Sequence, residues 1–318
     1  MDRYYIADGH VDTLLNKFQE NSKYNFMLAN EGYHVDLPRL KEGNVKLLVF
    51  AIFVEENYFP AGDGLKKTLQ VMDYYFQIIK ECNELELVTE YSDIENIINE
   101  GKIASILAIE GAKSIFDLSA LRVFHRLGIR MITLTWNHRN HLANGIGETK
   151  KNMGLTSLGE EFVKEMNKLG IVIDVSHLNN MGFWDVIKTS NKPVVASHSN
   201  AKSLCSHVRN LSDKQIKAIA DSGGIIGINF CPLFLTETDK ADIKDVVKHI
   251  SYIKSLVGVK HIGLGTDYDG ILKTPNGLED MGKLYKLQNV LINEGYTESE
   301  IRDILFNNWL RVYKDILS

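Results

Sequence analysis

Two residues near the amino terminus have the chemistry and the spacing of metal ligands. His10 and Asp12 follow a short apolar run, in the stretch Asp8-Gly9-His10-Val11-Asp12. Side chains at i and i+2 of an extended segment point the same way, so the imidazole and the carboxylate project together. Gly9 between them omits a side chain where an ion would need room. A His-x-Asp pair alone is a weak signal, and its place at the end of an apolar run strengthens it.

Further apolar runs along the chain also end in a histidine or a carboxylate. The residues in question are Glu110, His177, His198 and Asp267. Each is equivocal alone: Glu110 can be an anion at the start of the next helix, and Asp267 and Asp269 can form a turn before Gly270. The repeated occurrence of such residues at the ends of apolar runs is hard to explain by structural roles alone.

Imidazoles and carboxylates are the ligands that zinc-class ions take in open catalytic sites. Three histidines and two carboxylates are too many for a single catalytic zinc: His10, Asp12, Glu110, His177 and His198. They suit two ions that share a bridging carboxylate, lie about 3.5–4 Å apart and hold a hydroxide that is nucleophilic at neutral pH. The residues therefore predict a dinuclear metal-dependent hydrolase.

Short β-rich runs alternate with amphipathic stretches along the whole chain. The runs are Tyr4–Asp8, Val45–Phe53, Ile103–Ile109, Ile129–Thr135, Ile171–Ser176, Val194–Ser197, Ile225–Phe230 and Ile262–Thr266. The helical stretches include Leu65–Cys82, Thr156–Lys168, Ser212–Asp221, Ile243–Leu256 and Glu298–Leu317. Eight buried strands in βα alternation predict an α/β fold, a (β/α)8 TIM barrel in one domain over residues 1–318, in which strand ends converge on one mouth. An open doubly wound sheet also alternates, but the strand count and the placement of the ligands favour the barrel.

Composition narrows the class of protein. The 318 residues carry a formal net charge of −5 with no run of basic residues, so we expect no nucleic-acid partner. No apolar run approaches the ~20 residues of a membrane span, and no signal peptide opens the chain, so we expect no membrane partner. The three cysteines, Cys82, Cys205 and Cys231, form no CxxC pair. We expect a cytoplasmic, reduced protein.

Two other motifs are set aside. Gly263-Leu264-Gly265 begins like a dinucleotide-binding loop, but Tyr268 stands where the third glycine is needed. The pairs Ser176-His177 and Ser197-His198 place a hydroxyl beside a histidine. Neighbours on a strand face opposite ways, so these pairs do not support a serine-nucleophile arrangement.

The motifs as a set resemble the membrane (renal) dipeptidase family, the M19 peptidases of the amidohydrolase superfamily. The resemblance spans nearly the whole chain and rests on Asp8-Gly9-His10-Val11-Asp12, Ile109-Glu110-Gly111, Asp174-Val175-Ser176-His177, Ser197-His198-Ser199, Val208-Arg209-Asn210, Gly265-Thr266-Asp267-Tyr268-Asp269-Gly270 and Pro275-Asn276-Gly277-Leu278-Glu279-Asp280.

The resemblance implies a zinc-dependent dipeptidase whose substrates include dipeptides with a C-terminal D-residue, and which is a homodimer. Two zinc ions would lie between two ligand pairs, His10 with Asp12 and His177 with His198, bridged by Glu110. Asp267 would take a proton from the attacking water and pass it to the leaving amine. Arg209 would pair with the carboxylate of the substrate, a role that suits a planar bidentate donor.

The chain departs from the renal pattern at one position. Where renal members read Leu-Thr-His, with the histidine assigned to the developing oxyanion, this chain reads Leu134-Thr135-Trp136. Trp136 offers one N–H donor but no cation. His138 and His141 follow closely and are the candidates to replace it, against the alternative that they belong to a polar loop. These three residues are the candidates for substrate binding, while His34, His125, His249 and His261 are expected to have structural roles.

Two alternatives remain at this stage. The same site could act on another amide or lactam, or tailor a peptide natural product. The barrel could also be a catalytically idle metal-binding scaffold, although a scaffold has no need for Asp267 beside five ligands.

Overall fold

Nine parallel strands form one sheet in the computed structural model, which describes residues 3–54, 64–148 and 153–317. They are β1 (Ile6–Val11), β2 (Val45–Phe53), β3 (Leu85–Leu87), β4 (Ile103–Glu110), β5 (Ile129–Thr133), β6 (Val172–Asp174), β7 (Val194–Ala196), β8 (Ile225–Ile228) and β9 (Ile262–Leu264). All except β3 close a barrel, because β1 pairs with β2 and β9, and β2 also pairs with β4. The predicted (β/α)8 barrel is confirmed.

The short strand β3 was not expected from the sequence. It pairs with the beginning of β4, where Leu85 lies opposite Ile103. Strand β5 pairs with the later part of β4, from Leu107 onward. A three-residue strand is too short to produce a recognisable apolar run, so the sequence pattern could not separate it from a loop.

Several strands end earlier than predicted, always on the side of the mouth. Strand β6 ends at Asp174 and β7 at Ala196, although their apolar runs continue to Ser176 and Ser197. In these two strands the ladder therefore stops before His177 and His198, which lie in the segments that follow. Alternation of side chains cannot be assumed in those segments.

Helices surround the barrel and connect its strands. They are α1 (Leu37–Glu42), α2 (Gly64–Glu81), α3 (Tyr91–Asn99), α4 (Leu118–Arg126), α5 (Ser157–Leu169), α6 (Asn180–Thr189), α7 (Asp213–Asp221), α8 (Pro232–Leu235), α9 (Ile243–Val257), α10 (Tyr285–Asn293), α11 (Glu298–Arg302) and α12 (Asn308–Leu317). Local signals define their ends: the Thr156 side chain accepts a hydrogen bond from Gly159 N, and Gly170 ends α5 in the left-handed conformation. The helix predicted over Glu298–Leu317 contains a π-helical turn at Asp303–Asn307. None of the helices described has the length and hydropathy that crossing a membrane requires.

Helix α12 covers the end of the barrel opposite the mouth. The side chain of Arg311 donates hydrogen bonds to the carbonyl oxygens of Gly223 and Gly224, which precede β8. Trp309 is 1% exposed, and its Nε1 donates to Leu264 O at 2.9 Å. The C-terminal helix therefore closes the amino-terminal end of the barrel, and the carboxyl ends of the strands remain accessible at the mouth.

Candidate active site

The predicted metal ligands meet at the carboxyl ends of the strands. His10 lies in β1 with Asp12 directly after it, and Glu110 is the last residue of β4. His177 and His198 follow β6 and β7, and Asp267 follows β9. Residues far apart in sequence therefore share one mouth, as a barrel requires.

The two oxygens of Glu110 face different groups of ligands. Oε2 lies 3.6 Å from Nε2 of His10, which itself lies 3.6 Å from Oδ2 of Asp12. Oε1 lies 3.0 Å from Nε2 of His177 and 3.5 Å from Nε2 of His198. Glu110 is therefore shared between one group with His10 and Asp12 and another with His177 and His198.

The donor set fits two divalent cations. The ligand atoms within each of the two groups lie within 4.8 Å of one another. Over the described part of the chain, the buried atoms His10 Nε2 and Asp12 Oδ1 have no hydrogen-bond partner. Nε2 of His177 and Nε2 of His198 lie 2.9 Å apart. Two imidazole lone pairs at that distance repel each other unless a cation or a proton lies between them.

The electrostatic environment keeps two of the histidines neutral. Burial lowers the pKa of His177 to about 4, and the charge of Arg209 adds to the shift. Burial, aided by His10, also lowers the pKa of His198 well below its ordinary value. Both imidazoles are therefore uncharged at neutral pH, with one ring nitrogen protonated and the other able to bind a metal.

Excess negative charge collects around His10. Burial lowers the pKa of His10, but Glu110 and Asp12 outweigh burial and raise it well above its ordinary value. Burial raises the pKa of Glu110, yet His10 and His177 bring it below its ordinary range. A site that attracts positive charge so strongly is suited to cations.

Asp267 belongs to the same cluster but in a different environment. Burial, together with the charge of Asp12, raises its pKa to about 7. Its Oδ2 accepts a hydrogen bond from Nδ2 of Asn229 at 2.8 Å. The backbone φ of Asp267 is +63° and that of His177 is +67°, values that non-glycine residues seldom adopt. Such strained residues concentrate at functional sites.

A cavity of about 1190 Å³ opens over the cluster. Glu110, Asp267 and Arg209 line its polar part, and its other walls include Phe53, Trp136 and Phe234. The rings of Phe53 and Trp136 lie 5.2 Å apart, and the ring of Trp136 lies 5.9 Å from that of His177. The cavity thus combines a charged floor with aromatic walls.

Arg209 is buried at the wall of this cavity. Its Nη2 donates to the carbonyl oxygen of His198 at 3.2 Å, while its Nε has no partner in the part of the chain that the structure describes. A buried guanidinium with an unused donor is arranged to receive an anion.

The two loop histidines have different positions. His138 is exposed and lines the cavity, with its ring 5.9 Å from that of Trp136. The structure does not bring His141 to the cavity: its Nε2 lies 2.8 Å from Ile115 O, and its ring lies against Phe162. His141 connects its loop to the residues after β4, so the sequence neighbourhood alone was misleading.

Two local expectations from the sequence are wrong. A Cβ on Gly9 would lie 2.1 Å from the ring of Trp309, so Gly9 makes room for helix α12 rather than for an ion. Ser197 Oγ lies 2.7 Å from Nδ1 of His198, although neighbours on a strand should diverge. Strand β7 ends at Ala196, so the alternation does not extend to this pair.

Sequence reasoning did not single out Asn137 and Asn229. Asn137 Oδ1 lies 2.8 Å from Nδ1 of His177, and Asn229 holds Asp267. Asn229 directly follows β8. The rule that found the ligands, a polar residue at the end of a strand, would have found it too.

Comparisons with known proteins agree on one family. A family model described as membrane dipeptidase (peptidase family M19) matches residues 1–317. The chain is 32% identical over 333 residues to dipeptidase aclJ of Aspergillus oryzae, covering 99% of this chain and 79% of that protein. The crystal structure of the metallopeptidase dipeptidase AC has a TM-score of 0.93 at 30% identity, with 99% of each chain covered. A metallopeptidase from Rhodobacter sphaeroides, solved with a phosphinate mimic of the dipeptide L-Ala-D-Ala, has a TM-score of 0.92 at 29% identity, covering 99% of this chain and 100% of that one.

A parallel eight-stranded barrel with clustered histidines and carboxylates at its mouth defines a metal-dependent hydrolase. The family match covers nearly the whole chain. The chain therefore belongs to the membrane dipeptidase family, peptidase family M19, and is a metallo-dipeptidase.

Proposed function

We propose that this metallo-dipeptidase is zinc-dependent and hydrolyses dipeptides, including those with a C-terminal D-residue. The position of Glu110 carries the proposal, because its two oxygens face two separate groups of ligands. The proposed activity on a C-terminal D-residue is supported by the similar metallopeptidase from Rhodobacter sphaeroides, whose bound ligand mimics L-Ala-D-Ala.

Two zinc ions would be held by five residues, of which Asp12, Glu110 and His177 line the cavity. His10 and Asp12 would bind one ion and His177 and His198 the other, with Glu110 bridging them. When bound, the ions would supply an activated water as nucleophile and Lewis-acid polarisation of the scissile carbonyl.

Arg209 and Asp267 would handle the substrate and the proton. The guanidinium of Arg209, with its free Nε, would pair with the C-terminal carboxylate of the dipeptide. Asp267 would take a proton from the attacking water and deliver it to the amine nitrogen of the leaving residue. Asp267 lies in one cluster with His10 and His198, where a water held beside them would be within its reach.

Trp136 and His138 would contact the substrate from the opposite wall. Trp136 and Phe53 present aromatic faces to the cavity, which suit an apolar side chain of the substrate. His138 lies farther out, near the carboxylate of Glu148 at 3.9 Å, and would contact the substrate at the rim.

The remaining features of the proposal concern the whole chain. We propose one domain over residues 1–318 that assembles as a homodimer, on the strength of the family resemblance. All three cysteines are free, which is in keeping with a reducing, cytoplasmic setting. Light scattering of the purified chain tests the dimer directly.

The first experiment combines metal analysis with hydrolysis on one sample. Zinc per chain is measured alongside turnover of L-Ala-L-Ala, L-Ala-D-Ala and Gly-D-Ala, with and without a chelator. We expect two zinc ions per chain and chelator-sensitive cleavage. A chain that binds no metal after zinc is supplied would overturn the proposal. Cleavage of L-Ala-L-Ala alone would overturn the proposed activity on dipeptides with a C-terminal D-residue.

One observation favours a second candidate. The cavity of about 1190 Å³ exceeds the ~300–1,000 Å³ of pockets that hold drug-sized ligands. An amide or lactam larger than a simple dipeptide, including a peptide natural product, would therefore fit the same site. Two bound zinc ions without cleavage of the dipeptide panel would favour this candidate.

A further inference from the structure

The two Ser-His pairs at the mouth differ in the contacts of their hydroxyl groups. Ser197 Oγ lies 2.7 Å from Nδ1 of His198 and donates to Oδ2 of Asp174 at 2.6 Å. Ser176 Oγ instead accepts the backbone N–H of His198 at 3.2 Å. Nδ1 of the neighbouring His177 faces Asn137. Of the two pairs, only Ser197–His198 therefore connects a hydroxyl to the ring of its own histidine.

The hydrogen bonds of Asp174 determine the direction of this chain of contacts. Its Oδ1 accepts the backbone N–H groups of Ser176 and Ser197 at 3.0 and 2.8 Å. Its Oδ2 accepts the hydroxyls of Thr133 and Ser197, both at 2.6 Å. Two carboxylate oxygens that each receive two hydrogen bonds act only as acceptors. The single proton of the Ser197 hydroxyl therefore points to Asp174.

The remaining lone pairs of Ser197 can only accept. Nδ1 of His198 must then carry a proton and donate it to Ser197 Oγ, which leaves Nε2 unprotonated. That Nε2 faces Oε1 of Glu110 at 3.5 Å and Nε2 of His177 at 2.9 Å. The hydrogen bond on one side of the ring therefore selects the nitrogen that a metal needs on the other side.

We propose that Asp174 and Ser197 are positioning residues that hold His198 in its Nδ1-protonated tautomer and so set the affinity of the ion bound by His177, His198 and Glu110. The proposal rests on the proposed zinc site. Asp174, Ser197 and His198 are all 0% exposed, so water does not replace a lost hydroxyl without rearrangement of the surrounding residues. Removal of the Ser197 hydroxyl leaves Nδ1–H without its acceptor and frees the ring to change tautomer.

The test compares two serine variants. Ser197→Ala removes the hydroxyl on the ring, and Ser105→Ala is the matched control, a buried serine of β4 whose Oγ donates to the carbonyl oxygen of Glu86, outside the network around His198. Zinc affinity is measured by competition with a chromophoric chelator, and urea unfolding of the metal-free chains reports any general loss of stability. We expect Ser197→Ala to lower the affinity for one of the two zinc ions by roughly 10- to 100-fold. Ser105→Ala should stay near the native affinity, and Ser197→Thr, which keeps the hydroxyl, should recover most of it.

Nitrogen-15 NMR of the zinc-loaded native protein tests the tautomer without any variant. We expect the ring of His198 to carry its proton on Nδ1. A proton on Nε2, or native zinc affinity in Ser197→Ala, would overturn the positioning role while leaving the zinc site intact. Failure of the native chain to bind zinc would instead overturn the proposed function, and the two failures are therefore distinguishable.

Discussion

Asp267 and Arg209 line the same cavity, and their surroundings suit them to different steps of hydrolysis. Asp267 has a pKa raised to about 7 by burial and by Asp12. Arg209 is a buried cation whose Nη2 is anchored to the carbonyl of His198. A titrating carboxylate moves protons, whereas a fixed guanidinium binds anions. Substitutions at the two positions should therefore affect different kinetic constants.

Substitution of Asp267 should stop turnover and spare zinc. Asp267→Asn keeps the shape but cannot accept a proton, so we expect kcat to fall by roughly 10²–10⁴-fold while two zinc ions remain bound. Steady-state kinetics and metal analysis of the same sample measure both. Asp239→Asn, at the exposed rim of the cavity, is the control and should stay active. Near-native turnover of Asp267→Asn would remove its proposed role.

Substitution of Arg209 should mainly weaken substrate binding. Arg209→Lys keeps the charge but loses the planar pair of donors, so we expect KM to rise roughly 10- to 100-fold with a smaller effect on kcat. Dipeptide kinetics measure the split. Arg122→Lys, in an ion pair with Glu165 on the surface, controls for the substitution itself. An unchanged KM in Arg209→Lys would argue against a carboxylate contact.

At the scale of elements, the turn after β9 carries Asp267, the proposed proton carrier, beside the candidate metal ligands. Asp267 and Asp269 have φ values of +63° and +67°. Asp269 Oδ1 accepts the backbone N–H of His34 at 2.8 Å, and Asp269 Oδ2 accepts the hydroxyl of Thr13 at 2.8 Å. The segments after β1 and before α1 therefore brace a strained turn.

Gly270 ends that turn at a position where no side chain fits. An added Cβ would lie 2.1 Å from Oδ2 of Asp12 and 2.8 Å from Oδ1 of Asp267. We therefore expect Gly270→Ala to displace the Asp12 carboxylate and weaken zinc binding, measured by metal competition. Gly64→Ala is the control, because no described heavy atom lies within 4 Å of its added Cβ. Native zinc affinity in Gly270→Ala would show that the turn relaxes without moving Asp12.

Helix α12 supports the site from the opposite end of the barrel. The ring of Trp309 packs against Gly9 and Gly263. Trp309→Ala therefore leaves a cavity next to the strand that carries His10. We expect a loss of about 3–5 kcal/mol in stability, measured as a lower midpoint of urea unfolding. Trp184→Ala, on α6 and 38% exposed, should change the midpoint far less. Equal midpoints in the two variants would contradict a structural role for Trp309.

At the scale of the whole molecule, metal and fold should be coupled. The proposed ligands come from β1, β4 and the segments after β1, β6 and β7, so only the folded barrel assembles them. Zinc at about 1,000 times its dissociation constant stabilises a folded chain by roughly 4 kcal/mol. We therefore expect a chelator to lower Tm by roughly 5–10 °C, measured by calorimetry with and without added zinc. Equal Tm values would mean that the ions do not bind the folded chain at this site.

The sequence by itself determined the architecture and the types of residue that gather at the candidate site. Apolar runs separated by amphipathic stretches led to the eight barrel strands, because burial on both faces leaves a local mark on composition. His10, Glu110 and His198 stood out because each follows such a run. Neither inference needed knowledge of contacts between distant residues.

The tertiary structure alone decided how those residues act together. The position of Glu110 between two groups of candidate ligands arises only when the barrel closes. The contact of Ser197 with His198 depends on where the chain leaves the ladder. Past that point the alternation of side chains ends, and packing against other segments sets each direction. Gly9 shows the same limit, since its role is decided by Trp309, 300 residues away in the chain. Residue type and periodicity are local properties, whereas distances and hydrogen-bond directions arise only once the barrel closes.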